Sequence, residues 1–183
     1  MINLDDIKVR MEKSIDAYKK ELSKLRTGRA SAALVDGISV DYYGAPTPID
    51  QTSQISVPDA RQLMIKPYDK SILGVIEQAI NAANIGISPN NDGEVIRLSV
   101  PALTEETRKE LAKKVKGFAE DAKVSVRNIR RDANDLIKKA EKAKEITEDD
   151  VKSYEDDVQK LTDSFIKQID TIATEKETDI LSI

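Results

Sequence analysis

The apolar positions between Thr104 and Lys144 recur at alternating intervals of three and four residues. This spacing places them on one face of a helix, because an α-helix completes a turn about every 3.6 residues. The stretch contains Gly117 but no proline, so the pattern predicts one uninterrupted helix. Its predicted buried stripe comprises Leu111, Val115, Phe118, Ala122, Val126, Ile129, Ala133, Leu136, Ala140 and Ala143.

The polar side chains of this helix are sorted by charge. With Val126 at zero and a rotation of roughly 100° per residue, one arc from about 40° to 140° is mainly basic. The acidic residues Asp121, Asp132 and Asp135 fall at about 180° to 240° on the same scale. Glu120 interrupts the basic arc, which otherwise holds Lys123, Arg127, Arg130, Arg131, Asn134 and Lys138.

Two further segments show helical spacing. Ile2–Arg26 is predicted to begin at a cap, Asn3 or Asp5, and to end near Gly28. The other follows Thr147, which forms a capping-box-like pair with Asp150, and it weakens beyond Ala173, where we expect fraying. The two predicted stripes are Leu4, Ile7, Met11, Ile15, Tyr18, Leu22 and Leu25, and Val151, Tyr154, Val158, Leu161, Phe165, Ile169 and Ile172. Three amphipathic helices, none able to bury its stripe alone, predict a three-helix bundle.

The segment between Ala30 and Ala102 has a different texture, with alternating apolar residues and frequent Gly, Pro, Ser and Asn. Helical spacing returns only between Ser71 and Ala83, where Asp69 is a candidate cap. Turns are predicted at Pro46 and Pro48 and at Asn91-Asp92-Gly93. Strands are predicted around Ile38, Val40 and Tyr42, around Ile55 and Val57, around Leu63 and Ile65, and around Ile96, Leu98 and Val100.

The predicted fold class is therefore α+β, with a small β/α/β domain inserted into a three-helix bundle. We assign residues 1–29 and 103–183 to the bundle and residues 30–102 to the insertion. The chain crosses between them at 27–31 and 100–103, and two short tethers predict an elongated, angular molecule with a hinge. The predicted hinge residues are Thr27, Gly28, Ala30, Ser31, Val100, Pro101, Ala102 and Leu103.

Composition narrows the possible chemistry. The net charge of −4 and the pI of about 5.1 argue against a protein that coats nucleic acid indiscriminately. The absence of Cys and His removes thiolate sites and the commonest metal ligand and acid–base group. No apolar run approaches the roughly 20 residues of a membrane span, and Met1 to Arg10 lacks a signal-peptide core. We expect a cytoplasmic protein without catalytic residues, cofactor, metal or small-molecule substrate.

Three groups of side chains leave alternatives open. Arg127, Arg130 and Arg131 could bind phosphate groups through their guanidinium forks, or could pair with carboxylates of neighbouring helices. Arg26 and Arg29 could extend this surface, or could simply favour the end of the first helix. The pair Tyr42 and Tyr43 could stack on a base, or could split between the core and surface of a strand.

Several motifs, spread in order along the chain, together resemble the bacterial ribosome recycling factor family. The two that carry arginines are Arg26-Thr-Gly-Arg-Ala-Ser31 and Val126-Arg-Asn-Ile-Arg-Arg-Asp132. The others are Asp41-Tyr-Tyr-Gly-Ala-Pro-Thr-Pro48, Leu103-Thr-Glu-Glu106 and Asp157-Val-Gln-Lys-Leu-Thr-Asp163.

The resemblance implies an L-shaped molecule with the outline of transfer RNA, whose bundle docks on large-subunit ribosomal RNA. It implies a monomeric factor that, with elongation factor G and GTP, splits the post-termination ribosome without covalent chemistry of its own. The implied RNA-binding residues are Arg127, Arg130, Arg131, Lys123, Lys138, Arg26 and Arg29. Two other classes remain as competitors, a helical scaffold that binds protein through its apolar stripes and an enzyme built on paired carboxylates.

Overall fold

The structure, a computed structural model, describes residues 2–182. The helices are α1 (Leu4–Ser23), α2 (Ile49–Thr52), α3 (Leu73–Ala83), α4 (Glu105–Lys142) and α5 (Glu148–Leu181). The strands are β1 (Ser39–Tyr42), β2 (Ala45–Pro48), β3 (Ser53–Asp59), β4 (Gln62–Pro67), β5 (Pro89–Asn91) and β6 (Ile96–Ser99). This mixture of long helices and short strands confirms the predicted α+β class.

The chain divides into two compact units. Residues 2–26 and 105–182 contain α1, α4 and α5, which pack against one another as the bundle. Thr27–Thr104 contains the remaining elements and is called the inserted unit. Within residues 2–182, no helix combines the length and apolar character needed to cross a membrane.

Helix α1 begins as predicted but ends earlier. The Asn3 side chain caps it by accepting hydrogen bonds from the backbone N–H groups of Asp5 and Asp6, at 3.0 and 3.4 Å. The helix stops at Ser23 because the Lys24 N–H turns back to the carbonyls of Glu21 and Leu22. The predicted end at Arg26 and Gly28 was therefore wrong. The core of the predicted stripe is confirmed, with buried side chains at Ile7, Met11, Ile15, Tyr18 and Leu22.

Helix α4 is the predicted long helix, but its buried stripe differs at three positions. Ile137 is fully buried, whereas Leu136 is 52% exposed. Both positions satisfy three- and four-residue spacing from Ala133 and Ala140, so periodicity alone did not distinguish them. In the same way Ala119 is buried where Phe118 was expected, and Ala143 lies beyond the end of the helix.

Helix α5 has the predicted capping box. The Thr147 side chain accepts from the Asp150 N–H at 3.2 Å, and the Asp150 carboxylate accepts from the Thr147 N–H at 2.9 Å. The predicted fraying beyond Ala173 was wrong, because the helix runs to Leu181 and Ile180 is fully buried. The predicted stripe contained Leu161, which is only half-buried, whereas the adjacent Thr162 is fully buried. The Thr162 hydroxyl donates to the Val158 carbonyl at 2.8 Å, so it has a hydrogen-bond partner inside the core.

The inserted unit contains two antiparallel sheets and α3. Strands β1 and β2 form a hairpin, and the larger sheet has the order β3-β4-β6-β5. Asp69 caps the 3₁₀ turn Lys70–Ile72 that leads into α3, as its position suggested. The core is aliphatic and includes Val35, Val40, Ile49, Leu63, Ile65, Ile76, Ile80, Ile96 and Leu98.

The predicted turn at Pro46 and Pro48 was wrong. Both prolines lie in β2, which pairs with β1 alone. A proline has no N–H to donate, so it is tolerated on such an edge strand. The turn is instead made by Tyr43 and Gly44, both at positive φ.

Candidate nucleic-acid interface

Three basic side chains form a row along the side of α4 that is turned away from the buried stripe. They are Arg127, Arg131 and Lys138, and we call this row the basic edge. Four residues separate the arginines and seven more lead to Lys138, so the row spans about 16 Å at 1.5 Å per residue. Arg131 and Lys138 are exposed and Arg127 is half-buried. Within residues 2–182, none of the three side chains forms an ion pair.

Arg130 lies beside this row and is oriented by α5. Its Nη1 donates to Gln159 Oε1 at 3.2 Å, and Gln159 Nε2 donates in turn to Asp163 Oδ1 at 2.8 Å. A guanidinium carries five N–H donors in a fixed fork, so one amide contact orients the group without neutralising it. Arg130 is therefore a positioned cation next to the basic edge.

Lys123 does not belong to this surface, although the charge pattern grouped it there. Its side chain is only 16% exposed, and Nζ lies 2.6 Å from Asp170 Oδ1 on α5 and 3.3 Å from Glu120 Oε1. The hydrogen bond to Asp170 is the main cause that raises the pKa of the Lys123 ammonium above its usual value. The charge is balanced by these two carboxylates, and the contact with Asp170 ties α4 to α5.

Arg26 and Arg29 are exposed and lie beyond the end of α1. Because the helix stops at Ser23, neither arginine is in its last turn. Gly28 between them has φ +78°, a conformation that L side chains rarely adopt.

The opposite side of α4 is acidic and partly compensated by α1. Asp132 Oδ2 lies 2.6 Å from Arg10 Nη2, and the hydroxyls of Ser14 and Ser125 are 2.9 Å apart. Cation and carboxylate are thus paired where α4 meets α1, whereas the basic edge forms no ion pair within residues 2–182. Unpaired guanidinium groups at helical spacing are suited to the phosphates of a nucleic-acid backbone.

The two predicted tethers are packed against each other. A Cβ built on Gly28 would lie 2.9 Å from Leu103 Cγ. The Ala30 N–H donates to the Ala60 carbonyl at 2.9 Å, and the Val100 N–H donates to the Arg61 carbonyl at 2.7 Å. Both crossings are therefore held by the same β3–β4 turn.

Sequence reasoning separated one aromatic pair correctly and missed a third tyrosine. Tyr42 is half-buried against the core of the inserted unit, whereas Tyr43 is highly exposed, as the split interpretation predicted. Tyr68 was not singled out, although it is also highly exposed. Tyr68 lies between the end of β4 and the capping residue Asp69, and this position in a connecting segment could have indicated that its side chain is exposed.

Comparisons with known proteins agree along the whole chain. The family model described as "Ribosome recycling factor" matches residues 18–181. The chain is 58% identical over 180 residues to the ribosome-recycling factor of Staphylococcus saprophyticus, and this match covers 98% of each protein. It is also 58% identical over 180 residues to that of Listeria monocytogenes serotype 4a, with coverage of 98% of the chain and 97% of the relative.

Two solved structures resemble the fold. One is a solution structure of the ribosome recycling factor, 41% identical, with a TM-score of 0.77 and complete coverage of both chains. The other is the Thermus thermophilus ribosome recycling factor, described with Escherichia coli elongation factor G bound to the Escherichia coli post-termination complex. It is 40% identical with a TM-score of 0.65, and the match covers 97% of this chain and 96% of that one.

Proposed function

The chain belongs to the ribosome recycling factor family, and we propose that it acts with elongation factor G to dissociate the post-termination ribosome. In this proposal the elongation factor hydrolyses GTP, the subunits separate, and the ribosome is released from messenger RNA for another round of synthesis. The observation that carries the proposal is 58% identity over 98% of the chain. The solved relative described on a post-termination complex with elongation factor G supports the choice of partners.

We propose that the bundle binds large-subunit ribosomal RNA through the basic edge. Arg127 and Arg131 supply forks that match phosphate oxygens, and Arg130 is oriented beside them by Gln159. Arg26 and Arg29 extend the proposed RNA-binding set, whereas the pairing of Lys123 with Asp170 argues for leaving that residue out. A small set of phosphate contacts on an acidic protein suits a factor that must leave each ribosome quickly.

We also propose that the tethers at 27–31 and 100–103 act as a hinge during subunit splitting. The contact between Gly28 and Leu103 and the shared bonds to the β3–β4 turn support movement about a single axis. The factor itself performs no covalent chemistry in this scheme, needs no cofactor, and acts as a monomer in the cytoplasm.

The test is breakdown of polysomes by the purified chain. We expect conversion of polysomes to subunits only when the chain, elongation factor G and GTP are all present. A non-hydrolysable GTP analogue is the matched control and should block the reaction. Full breakdown without elongation factor G, or none with it, would contradict the proposal.

A further inference from the structure

Two tyrosines of the inserted unit stand out by their exposure. Among the residues that the structure describes, Tyr43 at 82% and Tyr68 at 72% are the most exposed large apolar side chains. The Tyr43 hydroxyl donates to Asp69 Oδ2 at 2.9 Å, and Tyr68 directly precedes Asp69 in the chain. One exposed ring is thus hydrogen-bonded to the Asp69 carboxylate, and the other belongs to the residue that precedes it. We call Tyr43, Tyr68 and Asp69 the tyrosine patch.

The backbone at Tyr43 is strained. Tyr43 and Gly44 form the two-residue loop between the paired residues Tyr42 and Ala45, with φ values of 51° and 84°. Such a loop favours Asn-Gly or Asp-Gly, because both positions need positive φ. An aromatic residue at the first position costs stability and buries little surface in return. A residue at positive φ whose side chain is 82% exposed is a candidate for a use outside the fold.

The Tyr43 ring is also held in place before any partner binds. It packs edge-to-face on Tyr42, with ring centroids 4.6 Å apart and planes at 76°. Its hydroxyl is bound to Asp69, whose other oxygen accepts from the Ser71 N–H at 2.9 Å. A ring fixed at both ends loses little conformational freedom on binding, which favours affinity.

The charges around the patch select the type of ligand. The hydrogen bond from the Ser71 N–H is the main cause that lowers the pKa of the Asp69 carboxyl, which is therefore ionised at neutral pH and remains so in mild acid. Asp41 lies in the same hairpin, where its carboxylate accepts from the Gly44 N–H at 2.8 Å. Of the nearby lysines, Lys70 is paired with Glu94 at 3.0 Å, and Lys66 is exposed in β4. The two carboxylates that contact the Tyr43-Gly44 loop, Asp41 and Asp69, favour a cation over a phosphate there, which disfavours stacking on an RNA base.

We propose that the tyrosine patch is a docking site for an arginine or lysine side chain of a protein partner. A cation is attracted by the face of an aromatic ring and by the carboxylate beside it, and a guanidinium engages both at once. The inference rests on the proposed function only in placing that partner in the post-termination complex. It concerns a surface separate from the basic edge and of opposite charge preference.

A direct test uses a short arginine-containing peptide and solution NMR, and it does not depend on recycling activity. With five tyrosines, two phenylalanines and no tryptophan, the aromatic spectrum of the whole chain is sparse enough to assign. We expect the peptide to shift the ring signals of Tyr43 and Tyr68 with a dissociation constant of about 1 to 10 mM. The matched peptide with citrulline in place of arginine should leave them unchanged.

Two variants separate recognition from folding. Tyr43→Asn removes the ring but suits the turn, so the thermal midpoint should stay the same or rise. The affinity for the peptide, measured from the Tyr68 ring signals, should fall by about tenfold. Asp69→Asn keeps an oxygen that can cap Ser71 but removes the charge, and should weaken binding similarly. Val57→Thr is the matched control for losing an exposed apolar group in the same unit and should bind as the wild type does.

The partner is identified by placing p-benzoylphenylalanine at position 43 and irradiating the chain with post-termination ribosomes, elongation factor G and GTP. We expect cross-links to a protein, next to an arginine or lysine. Cross-links to ribosomal RNA, tyrosine shifts caused by an RNA oligonucleotide instead of the peptide, or equal peptide affinity in Tyr43→Asn would each overturn the docking site. Failure of polysome breakdown with the peptide result intact would reject the proposed function alone.

Discussion

The bundle and the inserted unit carry their charges in different ways. Five of the 29 basic and eight of the 33 acidic residues lie in the inserted unit, which leaves 24 basic and 25 acidic residues in the bundle. The bundle is thus nearly balanced, but its charges are sorted along α4. The inserted unit is acidic and carries three of the five tyrosines, two of them highly exposed. The net charge of −4 is therefore the sum of two units with different surfaces, a charge-sorted bundle and an acidic inserted unit, which suit different ligands.

The two cores also differ in composition. The buried face of α4 includes Ala119, Ala122, Ala133 and Ala140, so the three helices approach closely and a few large side chains fill the remaining space. The core of the inserted unit consists mainly of branched aliphatic residues between a sheet and a helix. Loss of one large buried side chain should therefore lower the free energy of unfolding of the bundle strongly.

The largest expected effect is in the bundle core. Ile137→Ala removes a fully buried side chain between three helices and should lower the free energy of unfolding by about 3 to 4 kcal/mol. Leu136→Ala is the matched control on the same helix, half-exposed, and should cost about 1 kcal/mol or less. Chemical denaturation followed by circular dichroism measures both. Equal losses would mean that the stripe passes through Leu136 after all.

The next effect is expected at the tether. Gly28→Val combines positive φ with a clash against Leu103 and should destabilise the inserted unit by about 3 kcal/mol. Gly37→Val shares the positive φ but has nothing within 4 Å of its new Cβ, so it should cost about 1 to 2 kcal/mol. Hydrogen exchange of the β4 and β6 amides reports the difference. If packing at the tether is unimportant, the two variants will exchange alike.

A smaller effect is expected at the basic edge. Arg131→Gln should weaken ribosome binding by about threefold to tenfold and reduce the slope of log affinity against log salt by about 1. Lys139→Gln changes an exposed cation on another side of α4 and should alter neither quantity appreciably. Binding is measured by co-sedimentation across a salt series with helicity checked by circular dichroism. Identical salt slopes for both variants would remove the basic edge from the mechanism.

The smallest effect concerns acid stability of the bundle. The Thr147 N–H bond is the main cause that lowers the pKa of the Asp150 carboxyl below 3.8. The capping contribution is therefore present above the unfolded pKa and is lost as pH falls through the lower folded pKa. Asp150→Asn should lower the neutral thermal midpoint slightly, because the amide lacks the charge, and should thereby flatten the decline in this acidic range. A decline as steep as in the wild type would assign the acid sensitivity to other carboxylates.

Local chemistry was readable wherever the partner lies close in the chain. The caps at Asn3, Asp69 and Thr147 involve residues two or three positions away, and each was recognised from its residue type. Element boundaries were less well predicted, as at Ser23 and Leu181. The strand containing Pro46 was missed because an edge position, which makes proline acceptable, is a property of the folded sheet.

The amino-acid sequence by itself determined the helices, the sorting of charge around α4, the insertion of a strand-rich segment and the resemblance to a family. The tertiary structure decided which charges remain available to a ligand. Lys123 forms an ion pair with Asp170 of another helix, and Asp132 forms one with Arg10 of a third. Arg130 donates a hydrogen bond to Gln159, which orients its guanidinium group. It also brought the Tyr43 hydroxyl to Asp69, which lies 26 positions further along the chain. The physical reason is that helical periodicity assigns a side chain to a face, whereas its partner across a packed interface depends on the register between elements distant in the chain.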